Sequence, residues 1–310
     1  MTRPIAYVAL QQFCEYDDSP RRLLEEAGFE IRVNAFGRRL RGEEMADVLR
    51  DVEAVLAGVE PYEVRLLNHL PKLRCISRCG VGTDMIDLEA AHRLNIAVYT
   101  TPDEVIEPVA EMTVAMILAL ARNLPLHAHD ARQGRWEKRT GFLLAEWTIG
   151  LVGFGRIGRA VERALRVFTP RILVADPEVR ADALPAGVAL RSLPSLLAES
   201  DLVSLHASRG ASEGPLLGRD ELRMMKQGSD LVNTARGFLV DESALFEALR
   251  AGHLAGAALD VFETEPYTGP LLQLPNVFCT PHVSSLTRAS RVKMEWRCAS
   301  NLVQHFSNGQ

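Results

Sequence analysis

Ile149-Gly-Leu-Val-Gly-Phe-Gly-Arg-Ile-Gly158 is a short apolar run that breaks at a glycine turn and continues as a helical pattern. A lone G-x-G-x-x-G is weak; a strand before it and a helix after it give it meaning. In that context Gly153 permits a tight turn, Gly155 lets the backbone approach a pyrophosphate, and Gly158 lets helix and strand pack closely. Arg156 and Ile157 open the helix, whose free amides and positive dipole end suit phosphates. Asp176 comes eighteen residues after Gly158, at the end of the apolar run Arg171-Ile-Leu-Val-Ala175. An acid there accepts from both ribose hydroxyls and repels a 2′-phosphate, so NAD is the expected cofactor rather than NADP. His206 ends a later strand; the sequence leaves open whether it borders the cofactor or simply closes the strand.

Working outward, strands are expected at 148–153, 171–175, 188–190, 202–206, 230–234, 255–260 and 277–279. Helices fall near 157–168, 193–199, 219–225 and 242–250, a doubly wound nucleotide-binding pattern. The first hundred residues alternate in the same way. Strands at 5–10, 30–34, 54–57, 74–78 and 97–99 are separated by helical patterns at 20–27, 43–51, 63–70 and 88–94. Such alternation argues for a parallel sheet covered on both faces. A helix near 105–122 is apolar nearly all round and therefore buried, in its own fold, against another domain or against another subunit. A second, near 125–133, leads to Trp136. An amphipathic tail at 288–306 lies past the last strand and is expected to return to the first domain. The fold expected is α/β, with two doubly wound parallel-sheet domains. A Rossmann dinucleotide-binding domain, residues 100–285, is inserted in a flavodoxin-like substrate domain, residues 1–99 and 286–310.

With 310 residues, 47% of them hydrophobic, the chain is long enough for two cores. A net charge of −5 gives no reason to expect nucleic acid or an anionic membrane as partner. The five cysteines lack metal-ligand spacing, and no metal is expected. Cys279 is notable only for lying three residues before His282. No signal-like segment or bilayer-length apolar run is seen, and a cytoplasmic enzyme is expected.

Three residues outside the glycine turn suggest chemistry. Arg236 lies in Leu231-Val-Asn-Thr-Ala-Arg-Gly237, Glu265 in Ala258-Leu-Asp-Val-Phe-Glu-Thr-Glu-Pro266, and His282 in Val277-Phe-Cys-Thr-Pro-His. Each follows an apolar strand. Arginine can read a carboxylate and a carbonyl together, and an imidazole can exchange a proton with a hydroxyl near neutral pH. A carboxylate bonded to that imidazole favours its charged form. Asp260, Glu263 and Glu265 are three acids in six residues, so a solvated acidic turn explains any one alone. All three motifs at successive strand ends describe a hydride-transfer site. In the first domain, Gly80 and Gly82 in Arg78-Cys-Gly-Val-Gly-Thr-Asp84 leave amides exposed in a turn, which suits either a carboxylate or an ordinary strand-to-helix connection.

These segments, with Val109-Ala-Glu111, resemble the D-isomer-specific 2-hydroxyacid dehydrogenase family over nearly the whole chain. The short, phosphoglycerate-dehydrogenase-like members are the most similar. The resemblance implies that Arg236 binds the substrate carboxylate and polarises the keto oxygen, that His282 is the acid/base and that Glu265 is its partner. It also implies that the Val81 and Gly82 amides, with Arg78 nearby, hold the carboxylate, and that Asp260 contacts the nicotinamide carboxamide. Thr234 and Ala235 count among the cofactor neighbours. A homodimer is expected, formed partly through the long helix after Thr100. Met85, Pro108, Ser284 and Ser285 depart from the family pattern, and Gly58-Val-Glu-Pro61 has no arginine, which weakens 3-phosphoglycerate as substrate. The expected activity is NAD-dependent interconversion of a small D-2-hydroxy acid and its 2-keto acid. Phosphoglycerate oxidation and hydroxypyruvate or glyoxylate reduction are both in view, with a dinucleotide-sensing corepressor-like scaffold as the non-enzymatic alternative.

Overall fold

The computed structural model describes residues 3–169, 171–208 and 214–308. Met1 and Thr2, where the absence of a leader is expected, lie outside them. The chain divides into two compact units, Met1–Val105 with Leu286–Gln310, and Ile106–Ser285. Residues 100–105 thus fall with the first unit.

The first unit alternates β1 (Ile5–Val8), α1 (Ser19–Glu26), β2 (Glu30–Val33), α2 (Gly42–Val48), β3 (Ala54–Ala57), α3 (Val64–Leu67), β4 (Cys75–Arg78), α4 (Leu88–Arg93) and β5 (Ala97–Tyr99). The strands are parallel in the order β2-β1-β3-β4-β5, which is the flavodoxin order. Tyr7, Met45, Leu49, Val55, Leu67 and Ile76 form one core beneath this sheet. Helix α3 is shorter than its apolar pattern suggests. Leu70 precedes Pro71, and the residue before a proline is biased away from the helical region.

The second unit opens with α5 (Ile106–Ala121) and α6 (Leu124–Arg132). It continues through β6 (Ile149–Val152), α7 (Arg156–Leu165), β7 (Ile172–Ala175), β8 (Val188–Leu190), α8 (Leu193–Glu199), β9 (Leu202–Leu205), α9 (Arg219–Met224), β10 (Ser229–Asn233), α10 (Glu242–Arg250), β11 (Leu254–Leu259) and β12 (Val277–Cys279). The sheet order is β12-β11-β10-β9-β6-β7-β8. Counted from β6 this is the Rossmann order 3-2-1-4-5-6 with one further strand at its far edge. The order reverses between β6 and β9, where the glycine turn sits. Helix α5 packs on α7, β10 and β11, so its apolar girth is largely buried within its own unit. Pro108 lies in its first turn, where a missing N–H breaks no helical bond. Helix α7 stops at Leu165, short of the expected 168. Phe168 and Thr169 turn back onto the Leu165 carbonyl, and Thr169 Oγ1 donates to the Trp147 carbonyl. No single helix among the described residues is long and apolar enough to cross a membrane.

The tail helix, α11 (Arg288–Asn308), belongs to the first unit and packs on α1 and β4. Phe306 meets Phe29 edge-on at 5.2 Å, and Asn301 Nδ2 donates to Ser77 Oγ at 3.1 Å.

The join of β6 to α7 depends on absent side chains. A Cβ on Gly158 would stand 2.4 Å from the Gly153 carbonyl oxygen. Gly158→Ala is therefore expected to push α7 off the sheet and destabilise the protein by about 1–3 kcal/mol. The urea midpoint measures this, and an unchanged midpoint would show that the helix has room to move.

Candidate active site

The dinucleotide turn is shaped by close approach. Gly153 adopts φ +92°, and a Cβ there would meet the His206 carbonyl carbon at 2.6 Å and the Ala207 nitrogen at 2.7 Å. Only glycine lets β6 turn so tightly over the end of β9. Gly155, by contrast, has no atom within 4 Å of where its Cβ would be. The space over Gly155 is open, and the first helical bond of α7 runs from Arg159 N–H to the Gly155 carbonyl. The amides of the preceding turn, at Arg156 and Ile157, belong to the helix end that favours anions.

Asp176 closes β7 and is half-buried. Its Oδ2 accepts from Phe154 N–H at 2.7 Å and its Oδ1 from Glu178 N–H at 2.9 Å. Each oxygen keeps a further lone pair for a ribose hydroxyl. His206 donates its backbone N–H to the Val152 carbonyl, and its Nε2 lies 3.0 Å from Ser204 Oγ. Among the described residues its Nδ1 is buried with no partner, and burial pushes the imidazole down to about 4. His206 is therefore neutral and stands directly beside the glycine turn. An open glycine cradle, a helix end, a ribose-facing acid and an unpartnered buried ring nitrogen fit a bound NAD. The Thr234 hydroxyl meets Thr113 Oγ1 of α5 at 2.8 Å. The Ala235 N–H donates to Asn233 Oδ1 at 3.0 Å, and its carbonyl accepts from Arg236 Nη1.

Arg236 follows β10, and its Nη1 donates to the Ala235 carbonyl at 2.7 Å. The next residue, Gly237, is pressed on the segment after β11. A Cβ there would lie 1.9 Å from the Phe262 carbonyl carbon. This backbone-on-backbone contact brings Arg236 close enough to Glu265 to act on its charge.

His282 has φ +55°, a left-handed conformation uncommon outside glycine. Its N–H donates to the carbonyls of Asp260 at 2.9 Å and Thr280 at 3.1 Å. The ring Nδ1 lies 2.9 Å from Glu265 Oε2 and 3.2 Å from Oε1. An ionised carboxylate only accepts, so Nδ1 carries the proton in this bond and Nε2 is left to exchange one. Burial raises the Glu265 carboxyl, but the His282 bond and charge, the Phe262 N–H and the Arg236 charge outweigh it. Glu265 titrates below its ordinary value and stays ionised at neutral pH.

Asp260, expected against the nicotinamide carboxamide, is buried in this structure. Its Oδ1 accepts from Thr280 Oγ1 at 2.5 Å and Val283 N–H at 2.8 Å, and its Oδ2 from Ser284 N–H at 2.8 Å. The carboxylate clamps the 280–284 loop that carries His282. Ser284, a departure from the family pattern, supplies one of these amides.

In the first unit, Arg78 ends β4 and donates Nη1 to the Cys79 carbonyl. Gly80 N–H is bonded to Thr101 Oγ1. Among the described residues, the amides of Val81 and Gly82 donate to no protein acceptor. Glu60 lies on the neighbouring β3 loop, 2% exposed, and accepts from Gly58 N–H at 2.8 Å. Burial raises its carboxyl, partly offset by local N–H groups and by Arg39 and Arg78. The Cys279 thiol is pushed up to about 11 by burial, which leaves it a poor nucleophile. No group of three metal-binding side chains occurs among the described residues.

A Rossmann-ordered unit with an arginine and a carboxylate-paired histidine at its strand ends defines a nicotinamide-dependent oxidoreductase. Residues 114–284 match the NAD binding domain of the D-isomer specific 2-hydroxyacid dehydrogenases, and the chain belongs to that family of NAD-dependent enzymes. It is 38% identical to a glyoxylate reductase of Thermococcus kodakarensis over 91% of this chain and 88% of that one. It is 34% identical to a D-3-phosphoglycerate dehydrogenase of Archaeoglobus fulgidus, over 90% of this chain and 54% of that longer one. The crystal structure of a glyoxylate reductase from Paecilomyes thermophila superposes with a TM-score of 0.87 at 29% identity, covering 100% of this chain and 97% of that one.

The clamp on the 280–284 loop generates a test. Asp260→Asn keeps the shape but offers one acceptor oxygen to three donors. The variant is expected to lose about 10²-fold in kcat, the scale of a 1 Å misplacement, with NADH affinity within a few-fold of wild type. A large loss of NADH affinity with kcat retained would instead return Asp260 to the cofactor.

Proposed function

We propose that the enzyme reduces a small, unphosphorylated 2-keto acid of the glyoxylate type to the 2-hydroxy acid, using NADH. Glu60 is the observation that carries this reading. Register pairs Ala57 with Arg78, so the Gly58–Pro61 loop runs beside the Cys79–Gly82 turn. A buried acid stands on that loop, which holds no cation. A phosphate dianion beyond the substrate carboxylate would meet Glu60; glyoxylate has nothing to place there. The similarity to glyoxylate reductases supports the same choice.

When bound, NADH supplies the hydride to the carbonyl carbon. The Val81 and Gly82 amides take the substrate carboxylate. Arg236 binds the carboxylate and the carbonyl oxygen and draws electron density toward that oxygen. His282 delivers the proton to the same oxygen from Nε2, while Glu265 holds the ring by Nδ1 and stabilises its charged form. The exposed Trp136, Phe142 and Leu143, with relative exposures of 89%, 52% and 67%, support a homodimer in which a second copy covers this apolar arm.

Steady-state kinetics with glyoxylate, hydroxypyruvate and, in the oxidative direction, 3-phosphoglycerate test the reading. The highest kcat/KM is expected for the unphosphorylated keto acids, and a preference for 3-phosphoglycerate would overturn it. His282→Asn is expected to lower kcat about 10²–10⁴-fold and leave NADH binding intact; wild-type kcat would remove His282 from the chemistry.

Cofactor choice supplies a separate test. Pro177 and Glu178 follow Asp176, and Arg180 is paired with Asp182 at 2.9 Å. A 2′-phosphate would face negative charge. Wild type is expected to prefer NADH over NADPH by about 10-fold or more, the equivalent of ~1.4 kcal/mol, and Asp176→Ala to narrow the ratio. Equal use of both by the wild type would exclude Asp176 as the discriminating group.

A further inference from the structure

Ile76 of β4 points into the core of the first unit, so Ser77 and Cys79, on the alternate positions, share the opposite face. The alternation runs through Cys79, whose N–H still donates to the Ala57 carbonyl of β3. Helix α11 covers that face. Asn301 Nδ2 donates to Ser77 Oγ at 3.1 Å, and Cys298 Sγ donates to the Ser77 carbonyl at 3.7 Å. The Cys79 and Cys298 thiols lie within hydrogen-bonding distance of each other. Glu295 and Arg291, one and two turns before Cys298 on the same helix, act on Cys79 with their charges. Both cysteines belong to the first unit. Cys79 keeps 8% of its surface and Cys298 none, so a small solute meets Cys79 first.

The two thiols are not equivalent. The bond from Cys298 holds the Cys79 thiol below its ordinary value; burial works against it, and the Arg291 and Arg78 charges with it. Burial and the Cys79 neighbour push Cys298 well above its ordinary value. A thiol that ionises readily beside one that does not is the arrangement of an attacking and a resolving cysteine. Among the described residues the other three thiols lack a thiol neighbour. Burial pushes Cys75 up to about 12 and Cys279 up to about 11, and it also raises Cys14. Cys79 is, in addition, the root of the turn that carries the Val81 and Gly82 amides. Its carbonyl accepts from Arg78 Nη1. Gly80 follows at φ +138°, with its N–H on Thr101 Oγ1 and its carbonyl on Thr101 N–H.

We propose that Cys79 and Cys298 are a peroxide-oxidisable pair whose disulfide draws the Cys79–Gly82 turn toward α11 and weakens the binding of keto acid. The oxidant is hydrogen peroxide. The Cys79 thiolate attacks one peroxide oxygen, the O–O bond breaks, and hydroxide leaves and is protonated to water. The Cys298 thiolate then attacks the sulfur of the Cys79 sulfenic acid. The S–S bond forms, the S–O bond breaks, and a second water leaves. Two electrons pass from the sulfurs to the peroxide, and a dithiol reductant returns both thiols. The bond brings the sulfurs to about 2.05 Å. The shift falls on the turn rather than on α11, a packed helix of 21 residues. The effect on turnover rests on the reading of the Val81 and Gly82 amides as carboxylate donors; the thiol chemistry does not.

The test treats the reduced full chain with hydrogen peroxide, blocks remaining thiols with iodoacetamide while the protein is folded, and maps the digested peptides by mass. A linked pair containing Cys79 and Cys298 is expected, lighter by two hydrogens than the separate peptides and absent after dithiothreitol. With the peroxide removed before assay, kcat/KM for glyoxylate should be about 10-fold lower, a part of what a 1 Å misplacement costs, and should recover with dithiothreitol. Cys298→Ser should turn over as wild type does when reduced. After peroxide it should give no linked pair and a sulfenic acid at Cys79 that dimedone captures. Absence of the linked pair in wild type, a pair formed with Cys14 or Cys75 instead, or dimedone capture at Cys14 and not at Cys79 in Cys298→Ser would each overturn the proposal. A linked pair with unchanged kcat/KM would overturn its coupling to the turn. If the reduced wild type turns over no keto acid, the substrate reading fails, and the peptide map still decides the oxidation.

Discussion

A carboxylate with no exposed surface must be hydrogen-bonded, and at Asp260 that requirement shapes the reactive end of the second unit. Three donors converge on it, all from residues 280–284. To bring them there the chain folds back over the end of β11, and the His282 backbone takes up φ +55°. A left-handed histidine persists only where its surroundings over-determine it. Here the carboxylate holds the loop on one side and the Asp260 and Thr280 carbonyls hold the His282 N–H on the other. The ring is then within reach of Glu265 without any further element to place it.

Close backbone contacts do the corresponding work elsewhere in the unit. Gly237 sets the loop after β10 directly on the segment after β11, so an arginine and a glutamate from different strand ends become neighbours. Gly153 sets the β6 turn on the end of β9, which places His206 next to the amino end of α7. Both contacts lie at strand carboxyl ends, and the parallel order of the sheet puts those ends on one edge. Topology assembles the groups; the glycines decide how near they come.

Much of this was legible in the sequence. The short apolar runs and their helical spacers yield every described strand to within a few residues, and the glycine turn identifies the order-reversal point. The position of Asp176, directly after the apolar strand β7, could also be read. What could not be read depends on which way a side chain turns. Asp260 sits among three acids in six residues, and nothing in that spacing distinguishes a buried clamp from a cofactor contact. The signal lies in Thr280 and the unpaired amides beyond Pro281, which acquire meaning only when β11 and β12 are adjacent. The Thr234 hydroxyl likewise faces α5, where Thr113 Oγ1, 121 residues earlier, donates to the Val109 carbonyl and meets the Thr234 hydroxyl. Helix ends were misplaced where a proline just ahead disfavours the last turn, as at Leu70 and Thr169.

The acids of the second unit differ in how fully their charge is compensated. Asp260 has three donors and no exposed surface, so its charge is compensated within the chain. Asp176 has one amide on each oxygen and remains half-exposed, which suits hydroxyls that come and go. Glu265 is balanced by an imidazole and a guanidinium. Asp230 has burial and nothing to offset it. A low-dielectric interior makes an unpaired charge costly in proportion to its isolation. Compensation within the chain therefore falls from Asp260 to Asp230.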